Sequence, residues 1–402
     1  MIVLFPVQHN ENLSVQNNGK VLIPSRRFEQ LDSARGLALL GILVMNIGGF
    51  GLPKSAYMNP AYLGMPSFSD GLVWSLLSTF VQGTFLAMFA MLFGAGLQLL
   101  SKRSAGWNTS RLFWLALLGF CHSVYLWDGD ILLTYGLVGL GSMVIIRTTS
   151  TSRSLMRTGI LLYIIGLAIM LWLGFQPGSG FSDDWTPSPN TLNYETTWKL
   201  DGGELAHAVR LEMTLMTQFS VIFQYGWELT GLMLIGAALL HNGWLLGNAS
   251  LIDYRRQGWI LFTLSLLIHI PAMLMQWWTK WDFIIAGYYL QVPKELAATL
   301  QGLAYLALWY GYGQSINMSK ANAVLSRIGR MTLSNYLLQT LICTTLFYHY
   351  GWYRHFDRLE LLAMVPVIWC VNILFSLLWL KYFKQGPIEW LWRRLTSLVA
   401  VE

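Results

Sequence analysis

Along this chain, mainly apolar runs of about twenty residues alternate with short polar segments, and about twenty residues is the length a helix needs to cross a bilayer. Ten such runs are read as spans: 35–53, 72–100, 111–127, 130–147, 158–176, 216–240, 258–278, 296–314, 331–349 and 361–381. The second is long enough to tilt or break.

The segments between them carry the topology, because cytoplasmic loops collect Lys and Arg. With a cytosolic N-terminus, eighteen basic residues fall on the inner side and seven on the outer, with Arg35 at the mouth of the first span. That bias predicts both termini inside. The pattern divides the chain into a cytosolic tail (1–25), a transmembrane bundle (26–385) with an acidic external loop at 177–215, and an interfacial amphipathic helix (386–402). The tail holds one short apolar run, Ile2 to Val7, and no small-residue cleavage site, so it is not read as a signal peptide. The external loop is either a lid over an outward-facing site or a solvated connector.

Composition agrees with a bilayer solvent. Of 402 residues, 54% are hydrophobic and 11% charged, against roughly 25% charged in an ordinary soluble domain. The isoelectric point of about 9.1 reflects basic residues scattered in small groups, which argues for topology and against a nucleic-acid face. Cys121, Cys343 and Cys370 lie in apolar segments with no metal-ligand spacing, so neither a disulfide framework nor a metal site is expected. The glycine pairs Gly94/Gly96, Gly136/Gly141 and Gly231/Gly236 are expected to permit close helix packing. The fold class is therefore an all-α polytopic membrane protein of about ten transmembrane helices.

Ionisable groups inside spans are costly, which makes them candidates for function. Arg111 and His122 lie eleven residues apart, close to three turns, so they share a helix face about 16 Å apart. Asp128 and Asp130 follow at the outer turn, where either could orient the imidazole as a general base; a hydrogen-bonded structural histidine beside an acidic turn is the alternative. Asp32 and Arg35 can pair at i, i+3 on the inner rim, or Arg35 can meet an anionic ligand. Arg330, Ser334, Asn335 and Gln339 place polar groups along one helix, either lining a cavity or joining helices. Glu228, with Gln224 one turn before it, is a candidate proton carrier or arginine partner, and His269 is read as structural.

The stretches LDSARGLALLGILVMNIGGFGLP, FLAMFAMLFGAGLQ, HSVYLWDGDILLTYGLVGLG, GRMTLSNYLLQTLICTTLFY and GPIEWLWRRLT together resemble the YeiB-like family of bacterial inner-membrane proteins, a domain-of-unknown-function family. The first motif also resembles, more distantly, the transmembrane acyltransferases, including the bacterial surface-polysaccharide O-acyltransferases and the lysosomal heparan glucosamine N-acetyltransferase. That resemblance implies a transmembrane-acyltransferase-like bundle that passes acyl groups from cytosolic acyl-CoA to an extracytoplasmic hydroxyl or amine acceptor. The O-acyltransferases carry a histidine eleven positions after the arginine of the first span, where this chain has Asn46. The lysosomal type resembles Asn46 but has its catalytic histidine in the first external loop, and residues 51–71 here contain none.

On the enzyme reading, Arg35 and Arg111 hold the phosphates of acyl-CoA. His122, oriented by Asp128 or Asp130, takes a proton from the acceptor, and Asn46 or Asn335 donates to the oxyanion. On the alternative reading, a transporter, the same residues bind a small anion or metabolite and His122 and Glu228 relay protons. The expected partners are the lipid bilayer, acyl-CoA and an acceptor, in a bacterial inner membrane. Oligomeric state stays open, a dimer among the options.

Overall fold

The structure, a computed structural model, describes residues 25–176, 183–313, 315 and 318–399. The expected cytosolic tail, apart from Ser25, and residues 177–182 of the expected external loop lie outside them. Among the described residues the chain forms sixteen α-helices and no strand. They are α1 (Ser25–Gly51), α2 (Lys54–Met58), α3 (Phe68–Phe80), α4 (Thr84–Leu100), α5 (Ala105–Tyr125), α6 (Leu132–Thr148), α7 (Ser152–Leu173), α8 (Pro189–Asp201), α9 (Gly203–Ser220), α10 (Gly226–His241), α11 (Leu251–Trp278), α12 (Gln291–Tyr312), α13 (Ser319–Arg330), α14 (Thr332–Thr344), α15 (Arg358–Tyr382) and α16 (Pro387–Val399).

Among the described residues, each apolar run read from the sequence is mainly helical. Six helical stretches among the described residues are long and apolar enough to cross a membrane: Glu29–Gly51, Phe68–Leu100, Ser152–Leu173, Gly203–His241, Leu251–Trp278 and Arg358–Tyr382. The long second run breaks between α3 and α4, where Gly83 takes a left-handed φ of 73°. Between α9 and α10 the chain stays helical through a π-helical turn, Val221–Tyr225. Helix starts follow local chemistry. Ser67, Ser104, Thr151, Ser188 and Ser250 each accept a backbone N–H at their N-termini, and Asp357 and Glu360 form a capping box at α15.

The hydrophobicity of each helix sorts it by solvent. In α10, residues Gly231 to Leu240 are buried without interruption, as a helix apolar all round should be at the centre of a bundle. Helices α7, α11 and α15 instead expose apolar side chains such as Leu161, Ile164, Leu267, Leu274, Val367 and Leu378. That surface requires hydrocarbon around it.

Glycine sets the closest approaches. A Cβ on Gly94 would lie 1.9 Å from the Met233 carbonyl oxygen, and one on Gly236 1.8 Å from that of Met91, so α4 and α10 meet backbone to backbone. Backbone atoms cannot rotate away, so Gly236→Ala is expected to cost about 1–3 kcal/mol and lower the thermal midpoint of the purified protein. Gly141, with nothing within 4 Å of its would-be Cβ, provides the contrast. Gly141→Ala should leave the midpoint unchanged or slightly raised.

The described part of the expected external loop is folded. Helix α8 buries Trp198 and Lys199, Lys54 pairs with Asp184 at 3.0 Å, and the Asn59 side-chain amide donates to the Trp185 carbonyl at 2.9 Å. Pro189 in its first turn and Ser188 as cap explain where α8 starts.

Candidate functional site

At the end of the bundle that the charge bias assigns to the cytosol, a cavity of about 610 Å³ opens among α1, α4, α5, α6, α13, α14 and α16. Its mouth carries five cationic side chains, Arg35, Arg111, Arg330, Lys384 and Arg393, and two acids, Asp32 and Glu389. Deeper in, the walls are Leu39, Ile42, Phe89, Phe93, Leu112, Leu115, Tyr135 and Tyr336. The lining thus changes from charged to apolar along its depth, the profile that suits a ligand with an anionic head and an apolar tail.

Three of the cations are positioned by neighbours. Arg35 pairs with Asp32 at 3.1 Å on α1 and lies beside Gly96, where a Cβ would come within 3.2 Å of its guanidinium. Arg111 lies 3.5 Å from the centroid of the Trp392 ring and 5.5 Å from that of Trp107. Trp392 in turn donates its indole N–H to the Arg111 carbonyl at 2.7 Å, which ties α16 to α5. Arg330 donates to the Lys384 carbonyl at 2.7 Å.

Glu389 fixes the other side of α16. Its carboxylate accepts the backbone N–H groups of Leu333 (2.8 Å) and Ser334 (3.1 Å) and the Ser334 hydroxyl, so it caps α14 from a different helix. Burial pushes the Glu389 carboxyl above the ordinary glutamate value, against the pull of these hydrogen bonds. Ser334 therefore serves the docking of α16 and does not line the cavity.

Further along α14 the polar face turns toward α15. The Asn335 amide donates to Ser376 at 2.8 Å, Asn372 donates back to the Asn335 side-chain carbonyl at 3.1 Å, and Gln339 donates to Asn372 at 3.2 Å. Of the two readings open for this motif, Asn335 and Gln339 take the interhelical one, and Arg330 alone of the four reaches the cavity.

His122 is 2% exposed and both ring nitrogens are engaged. Nδ1 lies 2.8 Å from Asp130 Oδ1 and Nε2 lies 3.0 Å from the Thr340 hydroxyl. The other Asp130 oxygen accepts the Leu133 backbone N–H at 2.8 Å, in the first turn of α6. A carboxylate only accepts, so in the neutral ring the proton sits on Nδ1 and leaves Nε2 as the acceptor. Asp130, not Asp128, holds the imidazole. Asp128 instead acts electrostatically on Lys199 of α8.

One residue touches both His122 and the cavity. Tyr336 lines the cavity wall, and its ring centroid is 5.3 Å from that of His122. The structure thus joins Asp32, Arg35, Arg111 and Arg330 at one mouth and sets the His122–Asp130 pair behind Tyr336. Asn46 is half-buried on α1 and lines no part of this cavity, and Glu228 lies on α10 away from it. Sequence reading missed Lys384, Arg393, Tyr336 and Thr340 as neighbours of the site, although Tyr336, Thr340 and Arg393 stand inside motifs it singled out. No group of three or more metal-binding side chains occurs among the described residues.

Residues 239–399 match a family model described as a protein of unknown function, DUF418. The chain is 49% identical to the uncharacterized protein YeiB of Escherichia coli (strain K12), over 92% of this chain and 96% of that protein. It is 25% identical to the uncharacterized protein YxaH of Bacillus subtilis (strain 168), over 94% of this chain and 96% of that one. The likeness to the first extends over nearly the whole of both chains, and this chain belongs to the YeiB-like, DUF418 family.

Proposed function

We propose that the chain is a bacterial inner-membrane acyltransferase that takes acyl groups from cytosolic acyl-CoA and passes them to an extracytoplasmic hydroxyl or amine. The observation that carries the reading is the cavity: five cations at its mouth, an apolar interior, and the His122–Asp130 pair one ring beyond its wall. The phosphates of the donor would be held by Arg35, Arg111, Arg330 and Arg393, with Lys384 adding charge. The pantetheine and acyl chain would lie along Leu39, Phe89, Phe93 and Leu115, toward Tyr336.

The chemistry then follows from the imidazole. The Thr340 hydroxyl occupies the position on Nε2 that an acceptor hydroxyl or amine must take. When the acceptor replaces it, Nε2 accepts the acceptor's proton as its oxygen or nitrogen attacks the thioester carbon. The carbon–sulfur bond breaks, and the leaving thiolate takes that proton from His122. Asp130 keeps the imidazole in the tautomer this requires and stabilises the transient imidazolium. Tyr336 must move for donor and acceptor to meet.

The full-length protein, purified in nanodiscs and offered acetyl-CoA labelled in the acyl group, is expected to bind the donor and release free CoA, and His122→Ala is expected to bind it without release. Absence of both CoA binding and CoA release from the wild type would remove the proposal.

A further inference from the structure

We infer that the chain carries, independently of the donor cavity, a binding site for one positive charge, a proton or a sodium ion, between Glu228 of α10 and Glu295 of α12. The two carboxylates are built the same way. Each follows a π-helical turn, Val221–Tyr225 for Glu228 and Ile285–Tyr289 for Glu295. Each is held by a glutamine four residues earlier, Gln224 donating to Glu228 and Gln291 donating to Glu295 at 2.6 Å. Such turns cost regular hydrogen bonding and recur at functional sites.

The two halves meet at α7. The Tyr163 hydroxyl accepts that of Thr299, one turn after Glu295 on α12, at 2.8 Å, and Tyr163 lies one turn before Gly166, which faces Glu228. Gly166 gives α7 room to close on Glu228, where a Cβ would fall 2.4 Å from its side chain, and the left-handed Gly83 at the α3–α4 break would place one 3.4 Å from Glu295 Oε2.

Charge is not balanced there. Among the described residues no Lys, Arg or His nitrogen forms an ion pair with either carboxylate. The nearest cation by electrostatic effect on Glu295 is Lys294, which lies over the Trp74 ring and donates to Gln276 at 3.4 Å. Its effect leaves one of the two negative charges, the buried Glu228 or the half-buried Glu295, without compensation, which a low-dielectric surrounding penalises.

A second, independent observation points to a ligand there. Gln291 is 7% exposed and its side-chain oxygen has no hydrogen-bond partner. Its nitrogen donates to Glu295, so the orphan carbonyl of the same amide is held near that carboxylate and needs a donor or a cation. Two carboxylates, an amide oxygen and the hydroxyls of Tyr163 and Tyr225 make an all-oxygen set suited to a hard cation. The groups that titrate around it are Tyr57 from α2, Tyr163 from α7, Tyr225, and Lys294 from α12.

Thermal unfolding of the full-length protein in sodium, potassium and choline chloride at equal ionic strength, repeated across pH 5 to 9, tests the site in wild type, Glu228→Gln and Glu295→Gln. A sodium-specific rise of a few degrees that both variants lose identifies a sodium site. A pH dependence that both variants diminish, with a Glu228→Gln, Glu295→Gln double variant made alongside no worse than either, identifies a shared proton. If salt identity and pH move wild type and variants alike, the inference fails. Should a variant not fold, infrared spectra of the wild type decide. A sodium-sensitive carboxylate band or a protonated carboxyl band at neutral pH supports the site, and the absence of both overturns it.

Discussion

Arg111→Ala is expected to weaken binding of CoA by roughly 10- to 100-fold, the equivalent of one charge-assisted hydrogen bond worth about 1.5–3 kcal/mol. Arg111 is the most constrained of the mouth cations, clasped by Trp392 at 3.5 Å and by Trp107 at 5.5 Å. A guanidinium fixed in this way loses little entropy when a phosphate arrives, so its removal should cost more than removal of Lys384, whose charge sits on a flexible stem. Arg111→Lys keeps the charge and loses the planar stack, and should fall between wild type and Arg111→Ala. Part of the effect would come through α16, because Trp392 uses the Arg111 stack as its seat. The thermal midpoint reports that part, and Arg103→Ala is the control for a lost charge outside the cavity: Arg103 lies 5.7 Å from the Trp107 ring centroid, is exposed, and does not line the cavity. Equilibrium binding of labelled CoA, read beside the thermal midpoint, makes the comparison. Equal affinity in wild type, Arg111→Ala and Arg103→Ala would mean that the cationic mouth holds no phosphate.

What could be read from the chain and what could not divides along the range of the forces. The helices were legible because hydrocarbon imposes a length of apolar residues wherever the chain crosses, a constraint that acts within each segment. The break at Gly83 belongs to the same kind, since the apolar run that contains it is too long for one straight span. Arg35 with Asp32, and Arg111 on the helix that carries His122, could be paired by counting turns. The choice between Asp128 and Asp130 could not, because it depends on where α6 begins and which carboxylate oxygen its first turn recruits. The role of Ser334 is set by Glu389, 55 residues away, and that of Thr340 by His122, 218 residues away. Helix α8 escaped notice for a related reason. Its sequence is polar, and what makes it part of the fold is burial of Trp198 against other elements. The matched π-turns before Glu228 and Glu295 leave no periodic trace at all, so Glu228, inside an apolar run, stands out in the sequence while Glu295, at the very edge of one, does not.

Asp130→Asn should abolish CoA release while leaving the protein folded, and Asp130→Ala should damage both. In the native structure Asp130 satisfies two donors, His122 Nδ1 and the Leu133 backbone N–H. Alanine strands both in a buried place at about 1–3 kcal/mol each, so a fall of several degrees in thermal midpoint is expected. Asparagine keeps the shape and one acceptor, so the midpoint should move little. Its amide, however, can offer a donor to Nδ1, which places the ring proton on Nε2 and removes the lone pair that would take the acceptor's proton. Thr340→Val supplies the complementary test. It removes the hydroxyl now 3.0 Å from Nε2 and costs about 1 kcal/mol of stability, yet should preserve CoA release, since Thr340 only holds the place of the acceptor. Single-turnover release of CoA from acyl-CoA, measured with thermal unfolding on the same preparations, reads all three variants. Wild-type release by a folded Asp130→Asn protein would show that the His122–Asp130 pair ties α5 to α6 and performs no chemistry.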